Sequence, residues 1–254
     1  MIRVAAVGDI HMGPDSQGVL RPAFETLPEC ADLLLLAGDL TRHGTPREMR
    51  VVAREIQDLA VPVVAVLGNH DHHDDRPDEV TAILRDAGAH VLEGQATVVE
   101  SGGARIGVAG TKGFGGGFVG RCAGEFGEPV MKEFVHHSRR CADGLRAALE
   151  QLGEEDCDAR IALTHYSPVA DTLAGEPLEI YPFLGSYLLA EAIDTAGADL
   201  AVHGHAHAGT EHGMTSGGVR VRNVAQPVIG RAFHVYHLPV RETAATGAAA
   251  QQAG

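Results

Sequence analysis

The chain has 254 residues, 44% of them hydrophobic, and a formal net charge of −14. This length favours one large α/β domain with a substantial core over two small domains. Because a strongly acidic surface repels nucleic-acid backbones and anionic membranes, nucleic-acid polymers are not expected partners.

Cysteine usage and the N-terminus indicate a protein of the reducing cytoplasm. The four cysteines are scattered and include no C-x-x-C pair, so the sequence predicts no disulfide framework. The N-terminus lacks the zones of a signal peptide. The longest apolar run, Ala31–Leu40, is broken by two aspartates and cannot span a bilayer. We therefore expect a soluble, cytoplasmic protein without membrane insertion.

The first part of the chain alternates between predicted strands and helices. Three short apolar runs, Ile2–Val7, Leu33–Ala37 and Val63–Leu67, are each followed by glycine and a polar residue. Such runs are typical of strands buried on both faces of a sheet. The capping box Thr45-Pro46-Arg47-Glu48 predicts the start of a helix between the second and third strands, and Asp78–Ala87 predicts the next helix.

The middle of the chain changes character. Thr97–Ser101 and Arg105–Ala109 flank two glycines and predict a hairpin. A glycine-rich loop, Gly110–Gly120, precedes a long helix from Pro129 to Leu152. The remaining predicted elements are the strands Arg160–Thr164 and Leu200–His203, a helix near Ser186–Ala196, and antiparallel strands at Thr210–Met214, Val219–Asn223 and Phe233–Leu238. We expect a single domain over residues 1–242 and a disordered tail over residues 243–254.

Side chains that bind metals follow the predicted strands one after another. The candidates are Asp9, His11, Asp39, Asn69, His70, His165, His205 and His207. Because ligands gather beyond the carboxyl ends of strands in α/β sheets, we expect these side chains to meet at one site. Mixed imidazole and oxygen ligands favour transition metals over calcium. The set is large enough for two ions sharing one carboxylate, with one histidine left to protonate a leaving alkoxide.

Each motif alone has a plainer interpretation, as a turn or a cap at a strand end. Taken in order, however, the motifs resemble those of the calcineurin-like metallophosphoesterase superfamily. They are Asp9-Ile10-His11, Gly38-Asp39, Gly68-Asn69-His70-Asp71, Thr164-His165 and Gly204-His205-Ala206-His207. The resemblance implies an α/β (α+β) fold, a four-layer αββα sandwich of two mixed β-sheets flanked by helices.

The resemblance also implies a role for each residue of the motifs. It assigns one metal ion, Mn, Fe or Zn, to Asp9, His11, Asp39 and His207. It assigns a second ion to Asp39, Asn69, His165 and His205, so that Asp39 bridges the two. The implied enzyme is a dinuclear phosphoesterase in which a bridging hydroxide attacks phosphorus. His70 then assists the leaving group, and Asp71 orients His70.

The substrate is less closely defined than the chemistry. We expect a small phosphodiester, such as a cyclic nucleotide or a lipid head-group ester. A phosphomonoesterase or protein phosphatase is the alternative, and a non-catalytic binding protein on the same fold is a further one, although no expected ligand is missing from this sequence. Homo-oligomerisation is left open.

Three further residues are candidates to contact the phosphate ester. Arg42 matches phosphate geometry but has the alternative of a surface charge. For His73 a solvated loop is the favoured interpretation, and for Lys112 an ordinary exposed lysine is the default one. The run Gly115–Gly120 matches G-x-G-x-x-G, but no helix opens at its last glycine, so a loop bordering the site is favoured over a dinucleotide motif. His203 is expected to be a core or supporting residue.

Overall fold

Two β-sheets lie at the centre of the protein, whose computed structural model describes residues 1–240. The strands in these residues are β1 (Ile2–Val7), β2 (Leu33–Ala37), β3 (Val63–Val66), β4 (Ala89–Val91), β5 (Gln95–Ser101), β6 (Ala104–Thr111), β7 (Gly117–Phe118), β8 (Arg121–Cys122), β9 (Ala159–Thr164), β10 (Leu200–His203), β11 (His212–Met214), β12 (Arg220–Asn223) and β13 (His234–Leu238). The expected tail over residues 243–254, and the expected domain end at residue 242, lie outside the described residues.

Helices lie in half of the connections between these strands. The α-helices are α1 (Arg21–Phe24), α2 (Leu27–Cys30), α3 (Pro46–Ile56), α4 (Pro77–Asp86), α5 (Pro129–Glu154), α6 (Tyr181–Leu184), α7 (Tyr187–Ala196) and α8 (Gln226–Ile229). Short 3₁₀ turns occur at His70–His72, Asp171–Leu173 and Leu178–Ile180. The capping box predicted for α3 is present, since Thr45 Oγ1 accepts the Glu48 N–H at 3.2 Å. In the described part of the chain, no helix combines the length and apolar character needed to cross a membrane.

Both sheets are mixed. The first has the strand order β13-β1-β2-β3-β4, in which only β13 runs antiparallel to its neighbour. The second has the order β11-β12-β10-β9-β6-β5, with a parallel centre and antiparallel edges at β5 and β11. The strands β7 and β8 form a separate small hairpin.

One predicted strand direction is wrong. The segment that forms β12 was expected to be antiparallel to its neighbours, but it pairs parallel with β10 and antiparallel only with β11. The reason is the tight turn between β11 and β12, where the Thr215 N–H donates to the Val219 carbonyl at 2.9 Å. This turn sends the chain back beside β10 in the same direction as β10.

The side chains form three apolar layers between four layers of backbone. Alternate residues of β1 point to opposite faces, so Val4 packs between the two sheets while Val7 packs under the helices on the first sheet. Met49 of α3 covers the outer face of the first sheet, and Leu145 and Leu149 of α5 cover the outer face of the second. The predicted αββα sandwich is therefore confirmed.

Candidate metal centre

The loops after five parallel strands meet at one edge of the sandwich. The Asp9 N–H donates to the Gly38 carbonyl at 2.9 Å, which ties the loop after β1 to the loop after β2. The Gly204 N–H donates to the His165 carbonyl at 3.2 Å, which ties the loop after β10 to the loop after β9. The two sheets are joined here by the Asp9 carboxylate, which accepts the His205 N–H at 2.9 Å.

Two groups of candidate metal ligands form at this edge. The first group consists of Asp9, His11, Asp39 and His207. The second group consists of Asp39, His165 and His205. Within each group the donor atoms lie within 4.8 Å of one another. Because Asp39 belongs to both groups, it stands where a carboxylate shared by two ions would stand.

The two carboxylate oxygens of Asp39 face different groups. Oδ2 lies 4.0 Å from His11 Nε2 in the first group. Oδ1 lies 3.3 Å from Nε2 of the buried His165 in the second. Asn69 Oδ1 lies 2.9 Å from that same nitrogen, so the amide that the resemblance implies as a ligand of the second ion lies beside the second group.

The donor atoms fit transition-metal ions. In the first group His207 Nε2 lies 2.9 Å from Asp9 Oδ1 and 3.5 Å from His11 Nε2. In the second, His165 Nδ1 donates to the Ala37 carbonyl at 2.8 Å, which leaves Nε2 to face the group, as in protein metal sites. Converging imidazole nitrogens and carboxylate oxygens suit Zn, Fe or Mn.

The backbone at these ligands is strained. Left-handed φ angles occur at Asp9 (56°), His11 (42°), Asp39 (50°) and His205 (71°). Only two other non-glycine residues in the described part of the chain have positive φ. Such conformations are costly for residues with a side chain and persist where the surrounding structure enforces them. The strain is thus concentrated at the proposed ligands.

Two glycines allow the carboxylates to sit against the backbone. A Cβ atom on Gly68 would lie 2.1 Å from Asp39 Oδ1, and one on Gly204 would lie 2.2 Å from Asp9 Oδ2. Neither position can hold a side chain unless the carboxylate moves. These glycines are therefore part of the site, although they carry no ligand atom.

Burial sets the protonation of the ligands. It lowers the pKa of His205 to about 3 and holds the pKa of His165 well below its ordinary value. Both imidazoles are consequently neutral at pH 7, the form that binds metals. Burial also raises the pKa of Asp9 to about 6, and the Asp9 carboxylate in turn raises the pKa of His207. A cation between these groups would relieve the cost of burying the carboxylate charge.

His70 lies at the exposed side of the first group. Its ring centroid is 4.6 Å from that of His11. Its Nδ1 donates to the Arg42 carbonyl at 2.7 Å, and this bond leaves Nε2 to exchange a proton with a substrate. His70 is therefore placed and oriented as a proton donor would need to be.

Asp71, which the resemblance implies as the residue that orients His70, makes no hydrogen bond with His70 in the described residues. The two residues lie in one 3₁₀ turn. Asp71 is fully buried and accepts hydrogen bonds from the N–H groups of Leu40, Thr41 and Gly68 at 2.9–3.1 Å. Its carboxylate thus holds together the loops that carry Asp39 and Asn69. The hydrogen bond from His70 Nδ1 goes instead to the Arg42 carbonyl.

The three candidates for substrate contact lie in different surroundings. Arg42 is near the site, but its guanidinium pairs with Asp15 at 2.7 Å and also donates to the His11 carbonyl at 3.1 Å. Lys112 is half-buried, and its Nζ lies 5.3 Å from the centre of the Tyr166 ring, beside the second group. His73 is exposed, and in the described part of the chain it makes no recorded contact with either group.

Sequence reasoning missed two residues around the second group. The Tyr166 ring centroid lies 4.3 Å from that of His205, and its position directly after His165 was the available signal. The Phe183 carbonyl lies 3.2 Å from His205 Nε2, and it comes from the short helix α6, which has no local motif. His203 is buried and bonded to Thr172 Oγ1 at 2.8 Å, as a supporting residue rather than a ligand.

Known proteins with the same fold include enzymes of phosphate chemistry. Phosphopantetheinyl hydrolase from Mycobacterium tuberculosis superposes with a TM-score of 0.60 at 16% identity, over 87% of this chain and 88% of that chain. The protein TT1561 of Thermus thermophilus superposes with a TM-score of 0.58 at 19% identity, over 87% and 88% of the two chains. At these identities the likeness shows the fold alone.

Sequence comparison adds the family. A probable cyclic nucleotide phosphodiesterase of Synechococcus sp. is 32% identical over 92 residues, a match that spans 32% of this chain and 34% of that protein. The chain thus matches only about a third of the length of this curated relative. The sequence profile of the calcineurin-like phosphoesterases matches residues 2–209, which hold all the candidate ligands. The chain therefore belongs to the calcineurin-like phosphoesterase family.

Proposed function

We propose that this protein hydrolyses a small phosphodiester with two transition-metal ions held in the two ligand groups. The observation that carries the proposal is the position of Asp39, whose two oxygens face the two groups separately. When bound, two such ions lower the pKa of a shared water molecule and neutralise the charge that develops at phosphorus.

The chain's own residues supply the remaining steps. Asp39 holds the two groups in register, and Asp71 supports the loop that carries Asp39. His70 gives a proton from Nε2 to the leaving oxygen, while its Nδ1 stays bonded to the Arg42 carbonyl. Lys112 lies beside the second group and draws the anionic substrate towards it.

A small diester, such as a cyclic nucleotide or a lipid head-group ester, suits the molecule best. The relative named as a probable cyclic nucleotide phosphodiesterase supports a diester, over the third of its length that matches. The net charge of −14 disfavours long polyanions. Phosphomonoester hydrolysis is the alternative. A cytoplasmic location stays a prediction from the sequence.

The test is hydrolysis of a p-nitrophenyl phosphodiester and of p-nitrophenyl phosphate by metal-stripped protein refilled with Mn²⁺. His70→Ala is expected to lower kcat roughly a hundredfold or more, with normal metal content, for a diester with a poor leaving group such as ethyl phenyl phosphate, because it removes the general acid. The loss should be smaller for the p-nitrophenyl diester, since p-nitrophenolate leaves without a proton. The matched control is His237→Ala, which removes an exposed histidine of β13. Turnover of the monoester alone would replace the diester assignment, and unchanged kcat of His70→Ala with the phenyl diester would remove His70 from the mechanism.

A further inference from the structure

An apolar groove opens beside the second ligand group. It has a volume of about 690 Å³ and lies between the β7–β8 hairpin, the first turns of α5 and the short helix α6. Its walls include Met131 and Phe134 of α5 and Phe183 of α6. A cavity of this size accommodates a small organic molecule.

Much of the exposed apolar surface of the protein lies in the segments that carry the groove walls, and the exposed Met131 and Phe183 line the groove itself. Eleven large hydrophobic side chains are exposed in the described part of the chain, and seven of them lie in segments 119–131 and 178–183. Phe183 itself is 61% exposed. Scattered exposed hydrophobic residues need no explanation, but a contiguous patch of them marks a binding surface.

The groove is fixed in position relative to the candidate metal centre. The Phe183 carbonyl lies 3.2 Å from His205 Nε2, so one residue forms both the groove wall and the edge of the second ligand group. The hairpin on the other side is tied to the same segment, since the Gly116 N–H donates to the Pro182 carbonyl at 2.7 Å. The groove and the second ligand group are therefore separated by the width of one residue, Phe183.

One cationic side chain lies in the otherwise apolar groove. Arg121 is the one charged residue among those that line it, and within the described residues its guanidinium is not paired with a carboxylate. This cation attracts an ester whose phosphate lies at the nearby ligands, whereas a neutral lipid would gain nothing from it.

We infer that the groove binds a bulky apolar ester group of the substrate while the phosphate lies at the metal ligands. The inference rests on the proposed phosphoesterase function and specifies its substrate class, an anionic phosphodiester with one large apolar alcohol. Burial of the apolar ester group in the groove contributes favourable binding free energy, which the acidic surface of the chain cannot provide to an anionic substrate. Met131 and Phe183 are then residues that determine specificity.

The test compares ethyl p-nitrophenyl phosphate with octyl p-nitrophenyl phosphate in the presence of Mn²⁺. Both release the same leaving group, so their difference in kcat/KM reports on the alkyl group. Each buried methylene contributes roughly fourfold, so the octyl ester is expected to have at least about a tenfold higher kcat/KM. Met131→Ser lowers this ratio towards one. The matched control, Met214→Ser, removes an exposed methionine of β11 outside the groove and keeps the wild-type ratio.

The outcomes separate the groove from the proposed function. A wild-type ratio near one, or a ratio that Met131→Ser leaves unchanged, overturns the groove assignment, while hydrolysis itself still supports a phosphodiesterase.

If neither ester is hydrolysed, the proposed function fails, and calorimetric titration with octylphosphonate and ethylphosphonate tests the groove by binding alone. Tighter binding of the longer phosphonate that is lost in Met131→Ser supports the groove, and equal binding overturns it. A wild-type dimer that Met131→Ser converts to a monomer, with the same ester ratio in both proteins, assigns the groove to a second copy and also overturns the inference.

Discussion

At the scale of single residues, the candidate centre is marked by ligands with unfavourable backbone conformations. Asp9 and Asp39 have left-handed φ angles, and each carboxylate packs against a glycine that follows a different strand, Gly204 after β10 and Gly68 after β3. This arrangement has no evident benefit for folding, because strained backbone and crowded carboxylates both raise the free energy of the folded state. The strained arrangement is explained if the protein holds these carboxylates in place to bind a ligand.

Adding one methyl group beside Asp39 tests this view. In Gly68→Ala the new Cβ would lie 2.1 Å from Asp39 Oδ1, so the carboxylate must move out of place. We expect diester hydrolysis to fall about tenfold or more and Mn²⁺ to bind more weakly, because ligand geometry controls both. Titration calorimetry and steady-state kinetics measure the two effects.

Gly124→Ala is the control, since a Cβ there meets no atom within 4 Å. Wild-type affinity in Gly68→Ala would contradict the close approach.

The roles of individual residues were only partly predictable from the sequence. The ligands could be named because each directly follows a strand, and strand ends are recognisable from apolar runs. The role of Asp71 could not, because it depends on which way a side chain leaves a 3₁₀ turn. Backbone carbonyls such as that of Phe183 carry no sequence signal at all.

Among the elements, one device recurs at the start of three parallel strands. An aspartate directly before the strand accepts the N–H of an arginine at the second position of the neighbouring strand, at 2.7–2.8 Å. The same aspartate donates its own N–H to that arginine's carbonyl at 2.8 Å. The pairs are Asp32 with Arg3, Asp158 with Arg105, and Asp199 with Arg160. Each pair sets the register of two parallel strands at the end far from the ligands.

Removing one of these carboxylate charges should cost stability in a pH-dependent way. The ion pair with Arg3 lowers the pKa of Asp32. Because the pKa is lower in the folded protein, the contribution is present above the ordinary aspartate pKa near 4 and is lost as the pH falls through the folded value. Asp32→Asn is therefore expected to reduce the free energy of unfolding by about 1–2 kcal/mol at pH 7, and by less as the pH drops below about 4.

Urea unfolding of both proteins across this pH range measures the effect. The control is Asp86→Asn, which alters an exposed aspartate at the end of α4. If the difference in free energy of unfolding between wild type and Asp32→Asn does not change with pH, the charge of the Asp32 carboxylate does not contribute to stability.

Element types followed from the sequence more closely than their arrangement. The hairpin of β5 and β6 and the long helix α5 lie where the patterns predicted them. The direction of β12 was not predictable, because it depends on β11. This strand runs antiparallel to β12, and the turn after it reverses the chain so that β12 runs parallel to β10. The groove beside α6 was not predictable either, because its walls come from elements far apart in the sequence, the β7–β8 hairpin and α5 on one side and α6 on the other.

For the whole molecule, the candidate centre is where the two sheets are joined. The first sheet supplies Asp9, His11, Asp39 and Asn69, and the second supplies His165, His205 and His207. The four-layer sandwich thus explains why residues far apart in sequence converge at one edge. The resemblance implied this architecture, whereas the apolar patterns alone indicated only buried sheets.

Metal binding should therefore stabilise the whole fold. An ion that binds only the folded state at a hundred times its dissociation constant adds about 2.7 kcal/mol. For a domain of this size that raises Tm by roughly 5–10 °C. Differential scanning calorimetry of metal-stripped protein with and without Mn²⁺ measures the shift. Asp39→Ala should show little or none of it, and equal shifts in the two proteins would mean that the ion binds elsewhere.

The central claim, a dinuclear centre built around Asp39, is tested most directly by counting metal ions. Protein is loaded with Mn²⁺, freed of excess ion and analysed by elemental mass spectrometry, and hydrolysis of a p-nitrophenyl diester is measured on the same sample. We expect about two ions per wild-type chain with metal-dependent turnover, and fewer than about one ion with little turnover in Asp39→Ala. Wild-type protein that binds no metal, or an Asp39→Ala variant that keeps both ions, would contradict the account.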